Sequence, residues 1–360
     1  MAPTLSRSSL VGVRLGAGTL ELMDILGEGA YGCVYLARNL LTQEYVAIKH
    51  LPMVGTPRQN YLHTREVRIH GCLNHPNILP LQKVIQTSLG LFLVLEYAPE
   101  GDLFTAIAER GRFIGDEKAV RRVFEQLINA VAYCHSRGIY HRDLKTENIM
   151  VFEDDVIKLG DFGLATDEEW SMEFGCGSQF YYSPECLGGF DTSTCKPYAT
   201  APNDIWSLGV ILINLICGRN PWRVASAKDP AFCAFLAAPA QFLSSRLLLS
   251  SHVVNLLLRI FTLDPQKRIQ IDELRKAFRE CPKLTRSPIS YEISPISSCN
   301  APSFADDTCL SESPSSSSFD SYPSTRAAET LSYSSWAVIE GQKGDIPKSS
   351  KGVDSELILV

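Results

Sequence analysis

Apolar and polar positions alternate through residues 20–39, LELMDILGEGAYGCVYLARN, on either side of a glycine-rich centre, which predicts strand, turn and strand. The stretch YVAIKHL predicts a third strand that ends near Lys49. Helical spacing follows in LHTREVRIHGCL, where Leu62, Val67, Ile69 and Leu73 share a face, and LFLVLEYA is again strand-like until the turn residues PEGD. Beyond Asp102 the pattern is mostly helical. AVRRVFEQLINAVAYCHSRG is a long amphipathic helix closed by Gly138, and NDIWSLGVILINLICGRNPW is apolar all round, as a buried helix would be. The order predicts an α+β chain of two lobes, a small β-rich one and a larger helical one, joined at residues 96–101.

Composition changes this picture mainly at the C-terminal end. Residues 285–360 hold 20 serines in 76 positions and no sustained apolar period, so a disordered Ser-rich tail is expected there. In it Ser287, Ser294 and Ser313 each precede proline and are candidate targets of proline-directed kinases, and the closing LILV is expected to fray. The formal charge of −6 lies mostly in that tail, and the near-neutral remainder gives no reason to expect a nucleic-acid partner. Eleven cysteines without a C-x-x-C pair fit neither a disulfide framework nor a zinc site, which points to a reducing compartment. The longest apolar run, Gly209 to Cys217, is about half of what a membrane span needs. A soluble, monomeric protein of cytoplasm or nucleus, without a membrane partner, is the expectation.

Candidate chemistry is concentrated in four places. Gly27, Gly29 and Gly32 in GEGAYGCV leave room for phosphate oxygens to approach the backbone, and they lead into a second strand, which excludes a dinucleotide-binding turn. Lys49 on its strand and Glu66 on the next helix can pair and present an ammonium to phosphates. In HRDLKTENIM, Asp143 can accept a hydroxyl proton and Lys145 can neutralise a phosphoryl group, while Asn148 and, in KLGDFGLA, Asp161 offer oxygen ligands suited to Mg2+.

From about residue 20 to 282 the chain resembles a eukaryotic protein kinase of the serine/threonine type. The resemblance implies an N-terminal extension over 1–19, a kinase domain over 20–282 (N-lobe 20–95, hinge 96–101, C-lobe 102–282) and a tail over 283–360. It implies that Gly27, Glu28, Gly29 and Gly32 cover the phosphates of ATP, that Val34 and Ala47 pack on the adenine faces beside the gatekeeper Leu95, and that the backbone of Glu96 and Ala98 binds the adenine edge. Lys49 and Glu66 would orient the α- and β-phosphates, Asp143 would be the catalytic base, Lys145 would contact the γ-phosphate, and Asn148 and Asp161 would hold Mg2+. Ser178 in CGSQFYYSPE would bridge Asp143 and Lys145. Glu185 of SPE would pair with Arg268, and Asp204 would anchor the HRD loop.

Thr146 stands where such kinases commonly have proline, a departure expected to cost some rigidity and no catalytic group. Asp102 and Glu147 fall where kinases preferring upstream arginine carry acids. Phe174 occupies the usual place of an activating phosphothreonine, with Glu173 beside it as a possible permanent charge for Arg142 and Ser171 or Thr166 as the nearest hydroxyls. The segment GRNPWRVASAKDPAFCAFLAAPAQFL is similar to that of a fungal group containing yeast meiosis repressors and glucose-signalling kinases, which implies nutrient or developmental signalling. The alternative is a pseudokinase scaffold that binds ATP without efficient transfer.

Overall fold

The computed structural model describes residues 10–29, 32–52, 56–189, 196–247, 249–286 and the backbone of Leu357–Leu359. The first residues of the expected disordered tail are instead packed on the larger lobe, with Leu284 fully buried and Thr285 N donating to Glu117 Oε1 at 2.9 Å, while the candidate phosphorylation sites lie outside the described residues.

The smaller lobe is an antiparallel sheet. Its strands are β1 (Arg14–Leu15), β2 (Leu20–Gly29), β3 (Gly32–Asn39), β4 (Tyr45–Leu51), β5 (Leu81–Thr87) and β6 (Gly90–Glu96), with the helix α1 (Pro57–Gly71) inserted between β4 and β5. The order across the sheet is β1-β2-β3-β4-β6-β5. Register places Val34 opposite Lys49, and Ala47 opposite both Leu36 and Leu95. One face of the sheet closes on Leu22, Tyr35, Ile48 and Phe92, all fully buried, and Leu10 and Leu15 pack into the same cluster. Residues ahead of position 20 therefore contribute to this lobe's core. The backbone of β11 (Leu357–Leu359) pairs antiparallel with β5, Ile358 opposite Ile85, so the C-terminal apolar residues form a strand where a frayed end was expected.

α1 begins at a capping box: Thr56 Oγ1 accepts from Gln59 N, the Gln59 side chain accepts from Thr56 N, and Pro57 occupies the first turn. Such a cap contributes about 1 kcal/mol. The helix buries Arg65, Glu66 and His70 along with Ile69, an unusual set for a helix held by apolar contact alone.

The larger lobe contains α2 (Leu103–Ala108), α3 (Glu117–Ser136), the hairpin β7 (Ile149–Val151) and β8 (Ile157–Leu159), the short pair β9 (Trp170–Ser171) and β10 (Tyr198–Ala199), and then α4 (Thr200–Cys217), α5 (Pro230–Ala237), α6 (Pro239–Arg246), α7 (Ser251–Ile260) and α8 (Ile271–Arg279). α3 turns Val123, Phe124, Leu127 and Val131 inward, and Gly138 follows it at φ 68°, the left-handed value that glycine tolerates. α4 is long and apolar enough to cross a membrane by length and composition, yet 83% of it is buried, as the centre of this lobe. The GRNPW segment anchors through Trp222, whose ring lies 5.0 Å from Phe232 and 5.0 Å from Phe261.

Candidate active site

The cleft between the lobes is assembled from strand ends and two loops. On the small-lobe side, β4 carries Lys49 and α1 carries Glu66. Lys49 Nζ lies 2.7 Å from Glu66 Oε1 and 2.8 Å from Asp161 Oδ1, with Lys49 and Glu66 both buried. Burial raises the Glu66 carboxyl from its ordinary value against the pull of Lys49. Burial acts on Asp161 in the same direction, but the attraction of Lys49 and Lys145 wins and holds that carboxyl well below the carboxylate range. Asp161 is thus an anion aimed into the cleft. Its backbone sits at φ 56°, a strained value for a non-glycine residue.

The loop between α3 and β7 supplies the second group. Asp204 on α4 accepts from His141 N (2.9 Å) and Arg142 N (2.8 Å), pinning the loop to the central helix as expected. Asp143 Oδ2 receives Lys145 Nζ at 2.9 Å, and Oδ1 receives Ser178 Oγ at 3.0 Å. Lys145 Nζ also donates to Ser178 Oγ at 3.0 Å, so the serine bridges the two. Burial works against the Lys145 ammonium, yet the Asp143 carboxylate raises its pKa and keeps it charged. Asn148 donates from Nδ2 to Asp143 O at 2.9 Å and Asp143 Oδ2 at 3.2 Å, which turns its carbonyl oxygen away from the base.

Asp161 and Asn148 form an oxygen donor set that fits a hard cation. Among the described residues no cluster of three or more His, Cys, Asp or Glu could hold a metal. Two protein oxygens, with phosphate and water completing the shell, is the arrangement Mg2+ favours. Gly163 is fixed by the crowding here: a Cβ would lie 3.2 Å from Asp161 Oδ1 and 3.2 Å from Glu66 Oε2.

A buried apolar cluster shares β3 and β4 with these charges. Leu26, Val34, Ala47, Leu79, Leu95, Ala98 and Met150 form one buried cluster. Val34, Ala47, Leu95 and Ala98 are the residues expected at the adenine. The cluster adds Leu26, whose signal is the inward phase of β2, Leu79, just ahead of β5, and Met150, which comes from β7 of the other lobe and carries no local signal. Gly27, Glu28, Gly29 and Gly32 form the β2–β3 hairpin above it, with Glu28 opposite Cys33 and Gly29 opposite Gly32. Space is open at Gly27, whereas a Cβ on Gly32 would fall 2.2 Å from His50 O. The tip residues 30 and 31 lie outside the described residues. Glu96 closes β6, and its carboxylate pairs with Lys158.

Three features escaped the sequence reading. The Thr146 hydroxyl is buried against Tyr181 OH (2.9 Å) and Glu147 Oε2 (3.1 Å), so it holds a contact that proline cannot make. Asp102 is 2% exposed and caps α2 by accepting from Thr105 N at 2.7 Å. Arg58 and Arg65 of α1 reach the same carboxylate as Arg142, that of Glu173. Their distance from it in sequence hides the grouping.

The model of the protein kinase domain matches residues 20–278. Among curated relatives, a negative regulator of sexual conjugation and meiosis from Schizosaccharomyces pombe is 43% identical over 297 residues, 77% of this chain and 63% of that one. CBL-interacting protein kinase 11 from Oryza sativa subsp. japonica is 37% identical over 269 residues, 72% of this chain and 51% of its own length. The serine/threonine-protein kinase GIN4 from Saccharomyces cerevisiae is 35% identical over 277 residues, 72% of this chain and 24% of its own. The chain thus spans less than two thirds of each of these relatives. The family match runs from the first long strand through nearly all of α8, across both lobes and the cleft between them, and on that ground this chain belongs to the family of protein kinase domains.

Proposed function

We propose that the chain transfers the γ-phosphate of ATP to serine and threonine hydroxyls of protein substrates. The observation that carries this reading is the convergence of two charge systems on one cleft, Lys49 with Glu66 and Asp161 from one side and Asp143 with Lys145 and Ser178 from the other. Adenine would lie against Val34 and Ala47, with the backbone of Glu96 and Ala98 at its edge. Gly27, Glu28, Gly29 and Gly32 would cover the phosphates. Lys49, fixed by Glu66, orients the α- and β-phosphates. Asp143 accepts the proton of the attacking hydroxyl as the new O–P bond forms and the bond from the γ-phosphorus to the β,γ-bridging oxygen breaks. Lys145 balances the charge on the moving phosphoryl group, and ADP leaves. Asn148 and Asp161 would hold Mg2+, which when bound supplies charge neutralisation on the phosphate oxygens.

Substrate choice is read from the same loop. Asp102 is committed to capping α2, so a preference for arginine upstream of the target hydroxyl rests on Glu147, which is only partly buried. Of the proposed role in nutrient or developmental signalling, the developmental part is supported by likeness to a negative regulator of sexual conjugation and meiosis. The reading extends to a monomer in cytoplasm or nucleus, and eight unbridged cysteines among the described residues fit a reducing compartment. Phosphate transfer from Mg-ATP to a degenerate peptide panel, by wild type and Asp143→Asn, tests the reading. Labelled serine and threonine with enrichment for upstream arginine, and loss of at least a hundredfold in the variant, is the expected result. Nucleotide binding with no transfer by wild type would replace it with a scaffold role, and enrichment for upstream acids would overturn the arginine preference.

A further inference from the structure

Glu173 lies just after β9, in the segment between Asp161 and Glu185, and its carboxylate is a meeting point. Arg142 of the catalytic loop places Nη2 2.9 Å from Glu173 Oε2. Arg58, from the first turn of α1, places Nη2 3.1 Å from Oε1, and Arg65, two turns along the same helix, places Nη1 3.9 Å from Oε2. Arg65 is only 7% exposed, and its Nε and Nη2 are buried without a hydrogen-bond partner. A guanidinium so placed is strongly unfavourable unless an anion stands next to it. Burial would raise the Glu173 carboxyl, but Arg142, Arg65 and Arg58 together lower it, so the anion is present at neutral pH.

The elements joined at this point are those that make the cleft. Arg65 is the chain neighbour of Glu66, which holds Lys49. Arg142 is the neighbour of Asp143, and it also donates to Leu164 O (2.8 Å) and to Ser171 Oγ (2.9 Å). Glu173 thus contacts the chain neighbours of two cleft residues, one on α1 and one in the catalytic loop. The nearby hydroxyls are closed to modification in this arrangement. Ser171 and Thr166 are each 1% exposed, and Ser171 Oγ also accepts from Glu173 N at 3.1 Å. Phe174 carries no hydroxyl and packs toward Tyr198, ring centroids 6.0 Å apart.

We infer that Glu173 is a positioning residue whose carboxylate permanently fills the anion pocket of Arg58, Arg65 and Arg142, holding α1 and the catalytic loop in their working arrangement with no phosphate on the segment 161–185. The inference rests on the kinase reading for its kinetic consequence, and on geometry alone for the clamp. A carboxylate carries one charge against three guanidinium groups. The clamp is accordingly weaker than one closed by a doubly charged phosphate, and it needs no upstream enzyme.

The test uses the full chain after phosphatase treatment, with mass spectrometry establishing that residues 161–185 carry no phosphate. Wild type is expected to keep its peptide-phosphorylation rate within twofold of the untreated protein. Glu173→Gln, nearly isosteric but uncharged, is expected to lower kcat at least fivefold with KM for ATP changed less than threefold, and Glu173→Asp to restore most of the loss. Hydrogen exchange should quicken in α1 and residues 162–175 of Glu173→Gln and stay unchanged in α3 and α4. If Glu173→Gln does not fold, Arg58→Gln, at a 76% exposed side chain, replaces it, with a loss of at least twofold and the same exchange pattern expected. A kcat loss below these limits, unchanged exchange in α1, or a fivefold fall of the wild-type rate on dephosphorylation overturns the inference. Should wild type transfer no phosphate at all, the kinase reading fails, and the exchange comparison still decides the clamp.

Discussion

Thr146 sits at a junction of buried oxygens. Its hydroxyl meets Glu147 Oε2 and Tyr181 OH, and Tyr181 OH donates to Asn214 Oδ1 of α4 at 3.1 Å. With Asn214 Oδ1 accepting, the three oxygen–oxygen contacts share two hydroxyl protons, and a proton on Glu147 would supply the third. Burial already raises the Glu147 carboxyl. An arginine preference that depends on ionised Glu147 is therefore expected to weaken as pH falls, beginning at higher pH than an exposed glutamate would give. Peptide KM ratios for arginine against alanine, measured between pH 7.5 and 5.5, check this; a constant ratio contradicts it. Thr146→Val removes the hydroxyl at equal size, and a loss of about 1 kcal/mol of stability with a raised KM for arginine-containing peptides is expected from denaturant melts and kinetics. Sequence alone marked Thr146 as a departure and assigned it only lost stiffness, because Tyr181 and Asn214 are brought to it by tertiary packing and not by spacing.

At the scale of the element, α1 is a helix whose buried face is largely ionisable. Its partners explain that choice: Glu66 faces Lys49, Arg65 faces Glu173, and His70 donates from Nε2 to Leu79 O at 2.6 Å while its ring lies 4.8 Å from that of Phe162, tilted by 43°. Burial lowers the His70 pKa from 6.5 to about 4, with Lys49 and His141 adding to the effect and the Leu79 carbonyl and Asp161 opposing it. The unfolded chain binds a proton at this site from about pH 6.5 downward and the folded chain only near pH 4. Its contribution is thus intact above pH 6.5 and is lost as pH falls through the interval, about 2 kcal/mol by pH 5. Thermal melts at pH 7 and pH 5 should show a larger fall for wild type than for His70→Gln, and equal falls would rule out His70 as the source. The helix itself was legible from Leu62, Val67 and Ile69, though the expected pattern ran on to Leu73, past its end at Gly71, and the strands were legible from their alternation. The reason it buries charge was not, since the partners of Arg65 and His70 lie in other segments.

At the scale of the molecule, the two ends of the segment 161–185 are tied to different lobes, Asp161 to Lys49 and Glu185 to Arg268. Arg268 has a fully buried side chain, donates to Pro202 O at 2.8 Å and lies 5.0 Å over the Trp206 ring. Arg268→Ala would leave the Glu185 carboxylate, 14% exposed, without its partner, and a loss of at least about 3 kcal/mol in urea unfolding is expected. A loss under 1 kcal/mol would mean that the pair is not a structural tie. This tie and the Asp204 anchor were readable because each is carried by a local motif at a recognisable place. The apolar cluster of the cleft was readable in part, through Val34, Ala47 and Leu95, while Met150 enters it only because the two lobes close on each other. The part that Lys49 and Asp161 play in transfer exceeds whatever stability their buried ion pair contributes. This is tested most directly by comparing Lys49→Met and Asp161→Asn with wild type in one assay of phosphopeptide formed from Mg-ATP, with circular dichroism and thermal melts run on the same samples. Folded variants with transfer reduced at least a hundredfold are the predicted result; folded Asp161→Asn protein turning over at more than a tenth of the wild-type rate would contradict it.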